Sequence, residues 1–149
     1  NRCNASGKGR VYGCCWMIAS IVPMADIDSI WPTISKSFVD CLKDTHGDCS
    51  AGDLWTLCRT GQAMLMIAYD DEIKGASIWR FEAWLEGPVL RCLILAGDHM
   101  ETWFQECSEL ATAIARDGGA NCFVWDGRKG WAKVFKDAEI IRYTYRMKI

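Results

Sequence analysis

Thiols and imidazoles are the most reactive side chains in this sequence, which has nine cysteines but only two histidines, His46 and His99. Such groups either bind metals or form nucleophile–base pairs. Cys41, His46 and Cys49 lie close together, but their spacing matches no common zinc pattern. Neither histidine belongs to a nucleophile elbow or to a Cys–His signature. We therefore predict no metal site and no covalent hydrolysis.

The cysteines also bear on the cellular compartment. Their number is odd, and several lie in segments with the pattern of helices or strands, namely Cys41, Cys58, Cys92, Cys107 and Cys122. A small disulfide scaffold would instead place its cysteines in loops around a poorer core. We therefore expect reduced, buried thiols in a cytoplasmic protein.

The charge of the chain argues against a nucleic-acid partner. The formal net charge is -2, whereas a nucleic-acid binder needs a basic face. Arg128 and Lys129 lie near Trp125 and Trp131, a combination that could stack on a single strand. In an acidic chain, two basic residues are more typical of a solvated helix start. The absence of a long uninterrupted apolar run also predicts no membrane span.

The chain divides by composition into a leader and a domain. Residues 1–16 are rich in glycine, cysteine and basic residues, and they lack the apolar run of a signal peptide. We expect this leader to be non-native or disordered. Residues 17–149 contain neither a linker nor a repeat and should form a single domain.

The first half of the domain predicts one strand followed by two helices. Residues 18–22 form a short apolar run that ends at a proline. Apolar residues then recur at intervals of three and four over residues 27–42, which predicts a helix. Ser50 and Asp53 resemble a capping box that opens a second helix, and Gly61 should end it.

The second half predicts most of a sheet. Three apolar runs separated by polar turns predict an antiparallel meander over residues 63–69, 75–84 and 89–96. A clear helical pattern from residue 103 leads to a strand over residues 120–125, which should lie parallel to the third run. A short helix over residues 127–136 and an alternating strand over residues 140–149 follow. The sequence thus predicts a mixed α/β (α+β) fold, with a mostly antiparallel sheet of about six to seven strands and about four flanking helices.

Three features, together with this order of elements, carry a family resemblance. They are an Ile-Val-Pro opening before an acidic helix start at Asp26, a Leu-Ile-Leu-Ala-Gly run over residues 93–97, and a Gly-Arg-Lys-Gly-Trp run before Phe135. Residues 17–149 resemble the GNAT superfamily of N-acetyltransferases. They look closest to the short GNAT-like proteins of phages and bacteria.

The resemblance implies a site for acetyl-coenzyme A. GNAT proteins hold this cofactor where two parallel strands part, here the strands predicted over residues 89–96 and 120–125. Its pyrophosphate lies at the N-terminus of the following helix, where unpaired N–H groups attract anions. Carried over to this sequence, the cofactor-binding residues would be Leu93, Leu95, Ala96, Gly97, Asp98, His99, Met100, Trp125, Arg128 and Trp131.

The phosphate-binding loop departs from the family pattern of Arg/Gln-x-x-Gly-x-Gly/Ala. Residues 97–103 contain one small residue and no Arg or Lys, and Asp98 and Glu101 would repel a pyrophosphate. One interpretation is that these two acids cap the helix and that the anion site is lost. The other is that neighbouring residues supply the positive charge, the candidates being Arg91, Arg128 and Lys129.

The family's chemistry also needs a proton acceptor for the amine and a proton donor for the thiolate. The resemblance makes Glu82 the first candidate acceptor and His99 the second. Phe135 occupies the position of the usual tyrosine donor and cannot donate a proton. Tyr143 or Tyr145, in the predicted last strand, could replace it.

Two functions remain in view. The first is acyl transfer from acetyl-coenzyme A, or a related thioester, to an amine of a small molecule or a protein. The second is a non-catalytic interaction module, such as a phage virion-associated protein. The loop at residues 97–103 and Phe135 favour the second function, and the complete order of elements favours the first. The sequence leaves the oligomeric state open, with a dimer as one option.

Overall fold

The computed structural model describes residues 16–43, 48–127 and 130–147, apart from the side chain of residue 132. Within these residues, five strands form one sheet in sequence order: β1 (Ile18–Ile21), β2 (Met64–Tyr69), β3 (Ile73–Trp84), β4 (Gly87–Gly97) and β5 (Phe123–Trp125). The first four strands are antiparallel, and β5 lies parallel to β4. The predicted meander and the predicted parallel crossover are confirmed.

Three helices of ordinary length and one single-turn helix complete the described fold. They are α1 (Ile27–Leu42), α2 (Ala51–Arg59), α3 (Phe104–Asp117) and the short α4 (Trp131–Val134). Two 3-10 turns, Met24–Asp26 and Met100–Thr102, precede α1 and α3. The mixed α/β class is confirmed.

Local sequence signals set the ends of α2. The Ser50 hydroxyl accepts a hydrogen bond from the Asp53 amide at 3.2 Å, and the Asp53 carboxylate accepts one from the Ser50 amide at 2.7 Å. This is the reciprocal capping box that the sequence predicts. Gly61, with φ of 71°, follows the last turn and ends the helix as expected.

The sheet separates two hydrophobic cores. On the face that we call the α1 face, α1 and α2 cover the sheet through buried residues that include Ile34, Phe38, Leu54, Leu65 and Ile78. On the opposite face, called the α3 face, α3 covers the sheet through residues that include Met66, Trp79, Leu90, Cys107 and Ala111. The strands between these layers therefore read as nearly continuous apolar runs.

The predicted closing strand is wrong for the part of it that the structure describes. Residues 140–147 form neither strand nor helix, and all of them are exposed. The neighbouring edge strand β5 has only three residues, so it offers a short template for pairing. The described sheet consequently has five strands, fewer than the six to seven expected.

Some predictions fall on residues that the structure does not describe. These residues include most of the expected leader (residues 1–15), His46 of the rejected zinc pattern, and the basic pair Arg128 and Lys129. In the described part of the chain, no helix combines the length and the apolar composition needed to cross a bilayer. Nor do three potential metal ligands cluster anywhere in that part.

Candidate functional site

The two parallel strands of the sheet part midway along β4. Leu90, Arg91 and Cys92 of β4 pair with residues 123–125 of β5. There β5 ends, whereas β4 continues to Gly97. Among the residues that the structure describes, no strand therefore lies beside the edge of β4 that faces away from β3 over residues 93–97. The sequence predicts that the strands separate near Ala96, whereas in the structure the last β4 residue paired with β5 is Cys92, four residues earlier.

A β-bulge lies at the point of separation. Ile78 of β3 pairs with Ile94, but the next residue, Trp79, pairs with Cys92, so Leu93 is an extra residue in β4. A bulge bends its strand and redirects the groups around it. Just beyond it, the Leu95 carbonyl accepts a hydrogen bond from the Cys41 thiol at 3.7 Å. The Leu95 carbonyl is thus within reach of a donor that does not belong to the sheet.

Trp103 fills the space under the loop that joins β4 to α3. The side chain is 1% exposed, and its indole N–H donates to the Asp98 carbonyl at 2.8 Å. A Cβ atom at Gly75 would lie 2.5 Å from the ring, and one at Gly97 would lie 2.9 Å from it. At Gly97 a Cβ would also lie 2.4 Å from the Lys74 carbonyl oxygen. Gly97, predicted as a cofactor contact, is therefore also required for packing.

The loop itself turns through a left-handed residue that is not glycine. His99 has φ of 51° and ψ of 50°, and the 3-10 turn Met100–Thr102 follows directly. A left-handed residue followed by right-handed ones aims successive amide groups into one concave surface. Trp103 is the N-cap of α3. No side-chain hydrogen bond caps the start of the 3-10 turn Met100–Thr102 or the start of α3. Asp98 and Glu101 therefore do not cap the helix start through a side-chain hydrogen bond, although Glu101 lies in the first turn of the 3-10 helix, where a negative charge is favourable.

No family model and no curated protein matches this sequence. Solved structures do match the fold. A ribosomal-protein-alanine N-acetyltransferase from Brucella melitensis biovar Abortus superposes with a TM-score of 0.66 at 12% identity, covering 90% of this chain and 99% of that one. A predicted acetyltransferase from Clostridium acetobutylicum, solved with acetyl-CoA, gives a TM-score of 0.63 at 11% identity, covering 90% and 96%. The chain has the GNAT acetyltransferase fold.

A third matching structure was solved in complex with another molecule. It is an aminoglycoside acetyltransferase from an uncultured soil metagenomic sample, in complex with sisomicin, with a TM-score of 0.59 and 12% identity over 89% of this chain and 97% of that one. Identities this low establish a shared GNAT fold and no more. The resemblance inferred from the order of elements is confirmed at that level.

An aromatic cluster bridges the two sides of the opening in this GNAT fold. Its centre is Phe135, whose ring centroid lies 5.2 Å from Trp125, 5.5 Å from Phe104 and 5.5 Å from Trp131. Phe104 begins α3 and Trp125 ends β5, so the cluster joins the elements on either side of the gap. Trp125 and Trp131, both predicted as cofactor contacts, pack on Phe135. The cluster contains no hydroxyl that could donate a proton.

Glu82 is held in a network of positive groups on the α1 face. Its carboxylate accepts hydrogen bonds from Arg80 at 2.6 and 2.9 Å, from the Trp84 indole at 3.2 Å and from Arg91 at 3.5 Å. Burial by itself would raise the pKa of Glu82. The hydrogen bonds from Arg80 and Trp84 and the charges of Arg91 and Arg80 outweigh burial, so the net pKa is lowered. A carboxylate held this way is a weakened base.

The three predicted catalytic residues do not converge on one point. Glu82 pairs with Val89, near the closed end of the β3–β4 hairpin, whereas His99 follows Gly97 at the other end of β4. Eight residues of strand separate Val89 from Gly97, a span of roughly 26 Å. Tyr143 is 68% exposed, and the ring it contacts is that of Tyr145, at 6.5 Å. Glu82 and His99 therefore cannot serve the same substrate atom.

The sequence reasoning missed the role of Trp103. It treats this residue only as the start of the apolar face of α3. The predicted strands gave no signal for it, because without the bulge at Leu93 the hairpin register would place Gly75 opposite Ala96. In the structure the bulge brings Gly75 opposite Gly97, and glycines at both members of a cross-strand pair mark a place where a bulky group approaches the backbone closely.

Proposed function

We propose that this chain transfers an acyl group from acetyl-coenzyme A to an amine. The observation that carries this proposal is the unpaired edge of β4 over residues 93–97, which begins where β5 ends. An extended, amide-bearing arm can pair with such an edge as an added strand. A neighbour with this fold was solved with acetyl-CoA, which supports the same ligand here.

Different residues of the site would bind different parts of the cofactor. Leu93, Leu95 and Ala96 would pair through their backbone with the pantetheine arm. The amide groups from His99 to Glu101 would receive the pyrophosphate, because the left-handed His99 turns them to one side. Bound acetyl-coenzyme A supplies an acyl group that is already activated as a thioester. The chain's contribution is then mainly to hold that group and the amine in reacting geometry.

The acceptor would be an amine of a small molecule or a protein. An aminoglycoside acetyltransferase of this fold was solved with sisomicin, which supports the small-molecule option. We retain Glu82, His99 and Tyr143 as candidate proton-transfer groups. Of these, His99 is next to the proposed phosphate site and is 81% exposed, so solvent can reach it readily. Glu82 would need to give up its bond to Arg80 before it could act as a base.

A second candidate function is a non-catalytic interaction module, such as one associated with a phage virion. Two observations favour it. Asp98 and Glu101 place negative charge beside the proposed phosphate site, and the described part of that loop offers no Arg or Lys. Phe135, at the position of the usual tyrosine donor, is enclosed by three aromatic rings.

We also infer a cytoplasmic location. No disulfide joins the six cysteines of the described residues. A reducing compartment agrees with that arrangement.

Thermal unfolding with added ligand tests the proposed function. A ligand at about 100 times its Kd stabilises the folded state by about 2.7 kcal/mol. For a chain of this size, that corresponds to a rise in Tm of about 5–10 °C. Acetyl-pantetheine, which lacks the pyrophosphate, should raise the Tm at concentrations similar to those needed for acetyl-coenzyme A, because the proposed site recognises the pantetheine arm through the backbone.

The acidic loop supplies a matched pair of variants. Asp98→Asn with Glu101→Gln removes two charges beside the phosphate site and should tighten acetyl-coenzyme A binding by roughly 10- to 100-fold. It should leave acetyl-pantetheine binding unchanged. The control is Glu109→Gln with Asp117→Asn, which makes the same charge change at exposed positions farther along α3. It should alter the binding of neither acetyl-coenzyme A nor acetyl-pantetheine. If millimolar acetyl-coenzyme A shifts the Tm of neither wild type nor the loop variant, the chain is not an acetyl-coenzyme A enzyme and the interaction module is favoured.

A further inference from the structure

Two arginines lie side by side on the α1 face of the sheet, next to the point where β4 and β5 part. Arg80 of β3 and Arg91 of β4 are directly opposite each other in the register of the two strands. Like charges at such positions repel each other and destabilise the pairing. Arg91 immediately precedes Cys92, the last residue of β4 that pairs with β5. The fold thus holds two guanidinium groups beside the opening despite their mutual repulsion.

One carboxylate joins the two guanidinium groups. Arg80 donates through two nitrogens to the same Glu82 oxygen, at 2.6 and 2.9 Å, and Arg91 donates to the other oxygen at 3.5 Å. Neither arginine therefore makes the pair of parallel hydrogen bonds to two oxygens that gives the strongest contact with a carboxylate. Arg91 also donates to Asp126 at 2.5 Å, but that carboxylate is 80% exposed. The present partners leave a stronger arrangement available to both arginines.

The group also carries an excess of positive charge. The Arg142 guanidinium lies 5.7 Å from the ring centroid of Trp84, whose indole N–H donates to Glu82. Among the described side chains joined by these contacts, three are arginines and two, Glu82 and Asp126, are acids. The chain as a whole has a formal net charge of -2. One further carboxylate would balance the local charge.

The proposed cofactor arrangement brings the acceptor amine to this group. With the pyrophosphate at His99–Glu101, the pantetheine arm runs back along β4 toward Leu93. Its thioester end then lies beside the point of separation, one or two residues from Arg91. A residue of strand spans about 3.3 Å, so the distance along the strand is roughly 3–7 Å. An amine that attacks the thioester is consequently within reach of the arginine side chains.

We propose that the acceptor is a small amine that also carries a carboxylate, and that Arg80 and Arg91 bind this carboxylate. The inference rests on the proposed acyl transfer and names its substrate class. The planar guanidinium group matches the two oxygens of a carboxylate, and Arg80 is 38% exposed, so a ligand can reach it. Glu82 holds the place of the ligand's carboxylate in this structure. A neutral amine cannot make these contacts, so the site selects against it.

Binding of the acid would also change the chemistry of Glu82. Glu82 would lose its hydrogen bonds from Arg80 and gain a neighbouring negative charge, and both changes raise the pKa of a carboxyl group. As the amine nitrogen bonds to the acetyl carbon, the released Glu82 carboxylate takes the proton that the nitrogen loses. The carbon–sulfur bond breaks, and the coenzyme A thiolate takes up a proton from solvent. Glu82 then returns its own proton to solvent.

A set of matched acceptors tests this inference. Glycine, β-alanine and γ-aminobutyrate place the carboxylate at increasing distance from the amine, and the amide of each compound is its neutral control. Release of the coenzyme A thiol gives kcat/KM for every compound. The best acid should exceed its amide by roughly 10- to 100-fold, as expected for hydrogen bonds to a charged group. The amide group also makes the amine less basic, which favours the amide and so works against the expected result.

Variants of the two arginines assign the preference to this site. Arg80→Gln and Arg91→Gln should each bring the ratio of acid to amide close to one. Arg116→Gln, at an exposed position near the end of α3, should leave the ratio unchanged. Because the ratio is measured within one protein, a variant that folds only in part still reports it.

The outcomes separate this inference from the function on which it rests. If acetyl-coenzyme A raises the Tm but no acid exceeds its amide, the inference is overturned and the proposed acyl transfer stands. The same holds if the preference for acids survives in both arginine variants. If acetyl-coenzyme A does not raise the Tm, the acyl transfer fails and the inference fails with it.

Discussion

Trp103 packs against two glycines of neighbouring strands, and this contact supports a quantitative prediction. In Gly75→Ala, the new Cβ would lie 2.5 Å from two atoms of the indole, whereas carbon atoms in contact are normally about 3.5–4.0 Å apart. The ring cannot withdraw easily, because it is 1% exposed and its N–H is held by the Asp98 carbonyl. Overpacking of this kind costs about 1–3 kcal/mol. We expect a loss of about 2 kcal/mol in the free energy of unfolding.

Gly118→Ala is a matched control for this substitution. There a Cβ would meet the Phe81 ring at 2.1 Å, which is a closer approach than at Gly75. Phe81, however, is 41% exposed and can turn toward solvent. The cost should therefore stay below about 1 kcal/mol despite the tighter initial contact. The freedom of the neighbouring ring, and not the starting distance, is what should separate the two variants.

A double-mutant cycle identifies the indole as the source of the cost. Trp103→Leu is itself destabilising, because it empties a buried site, but it also clears the space that the Cβ of Gly75→Ala needs. In that background, Gly75→Ala should cost almost nothing, which gives a coupling energy of at least about 1 kcal/mol. Urea unfolding, monitored by circular dichroism, measures all four proteins. Additive costs, or equal costs for Gly75→Ala and Gly118→Ala, would refute the packing described for Trp103.

Three further predictions concern titration, reactivity and strain. Because its pKa is lowered, Glu82 stabilises the fold at pH values above its ordinary pKa of 4.5, and this contribution is lost as the pH falls toward the lowered value. Glu82→Gln should therefore cost about 1–2 kcal/mol at pH 7, and its urea midpoint should converge on that of the wild type once the pH falls below the lowered pKa; a gap that persists in acid would exclude the ionised carboxylate as the cause. Burial raises the pKa of four thiols, those of Cys49, Cys58, Cys92 and Cys107, so among the described cysteines alkylation at pH 8 followed by peptide mapping should modify the exposed Cys122 first. The thiols protected until unfolding should be Cys58 (pKa about 11), Cys92 (about 12) and Cys107 (about 11). Finally, His99→Gly should raise the Tm by a few degrees, because glycine adopts a φ of 51° without the cost of about 1 kcal/mol that a side chain incurs; an unchanged or lower Tm would show that His99 is not strained.

The elements that the sequence predicts well are those fixed by local chemistry. The capping box of Ser50 and Asp53 and the glycine after α2 each act within a few residues of the element that they delimit. The meander follows from apolar runs separated by polar turns, and the parallel crossover follows from the helix between β4 and β5. None of these inferences needs a long-range contact to be known in advance.

The features that the sequence does not predict depend on contacts between distant residues. The bulge at Leu93 is a matter of register between β3 and β4, and one continuous apolar run gives no sign of it. Trp103 reads as an ordinary helix residue until Gly75 is known to lie beneath it. Residues 140–147 have strand chemistry but form no strand, and a local pattern cannot tell whether an edge long enough to pair with them exists, since β5 has only three residues.

In the proposed acetyl-coenzyme A site, backbone contacts along β4 would favour binding and the acidic loop would oppose it, and the two free energies can be compared. A cofactor bound at micromolar Kd gains about 8 kcal/mol in total. In water, a carboxylate about 6 Å from a doubly charged phosphate group costs roughly 1.4 kcal/mol, so Asp98 and Glu101 together oppose binding by about 3 kcal/mol. That is enough to weaken the Kd to the order of 100 µM but not enough to abolish binding. Under the proposed function, the open edge of β4 would therefore hold the arm of acetyl-coenzyme A despite an acidic loop. Since the proposed catalysis relies on positioning, the missing tyrosine at Phe135 would slow the transfer without preventing it.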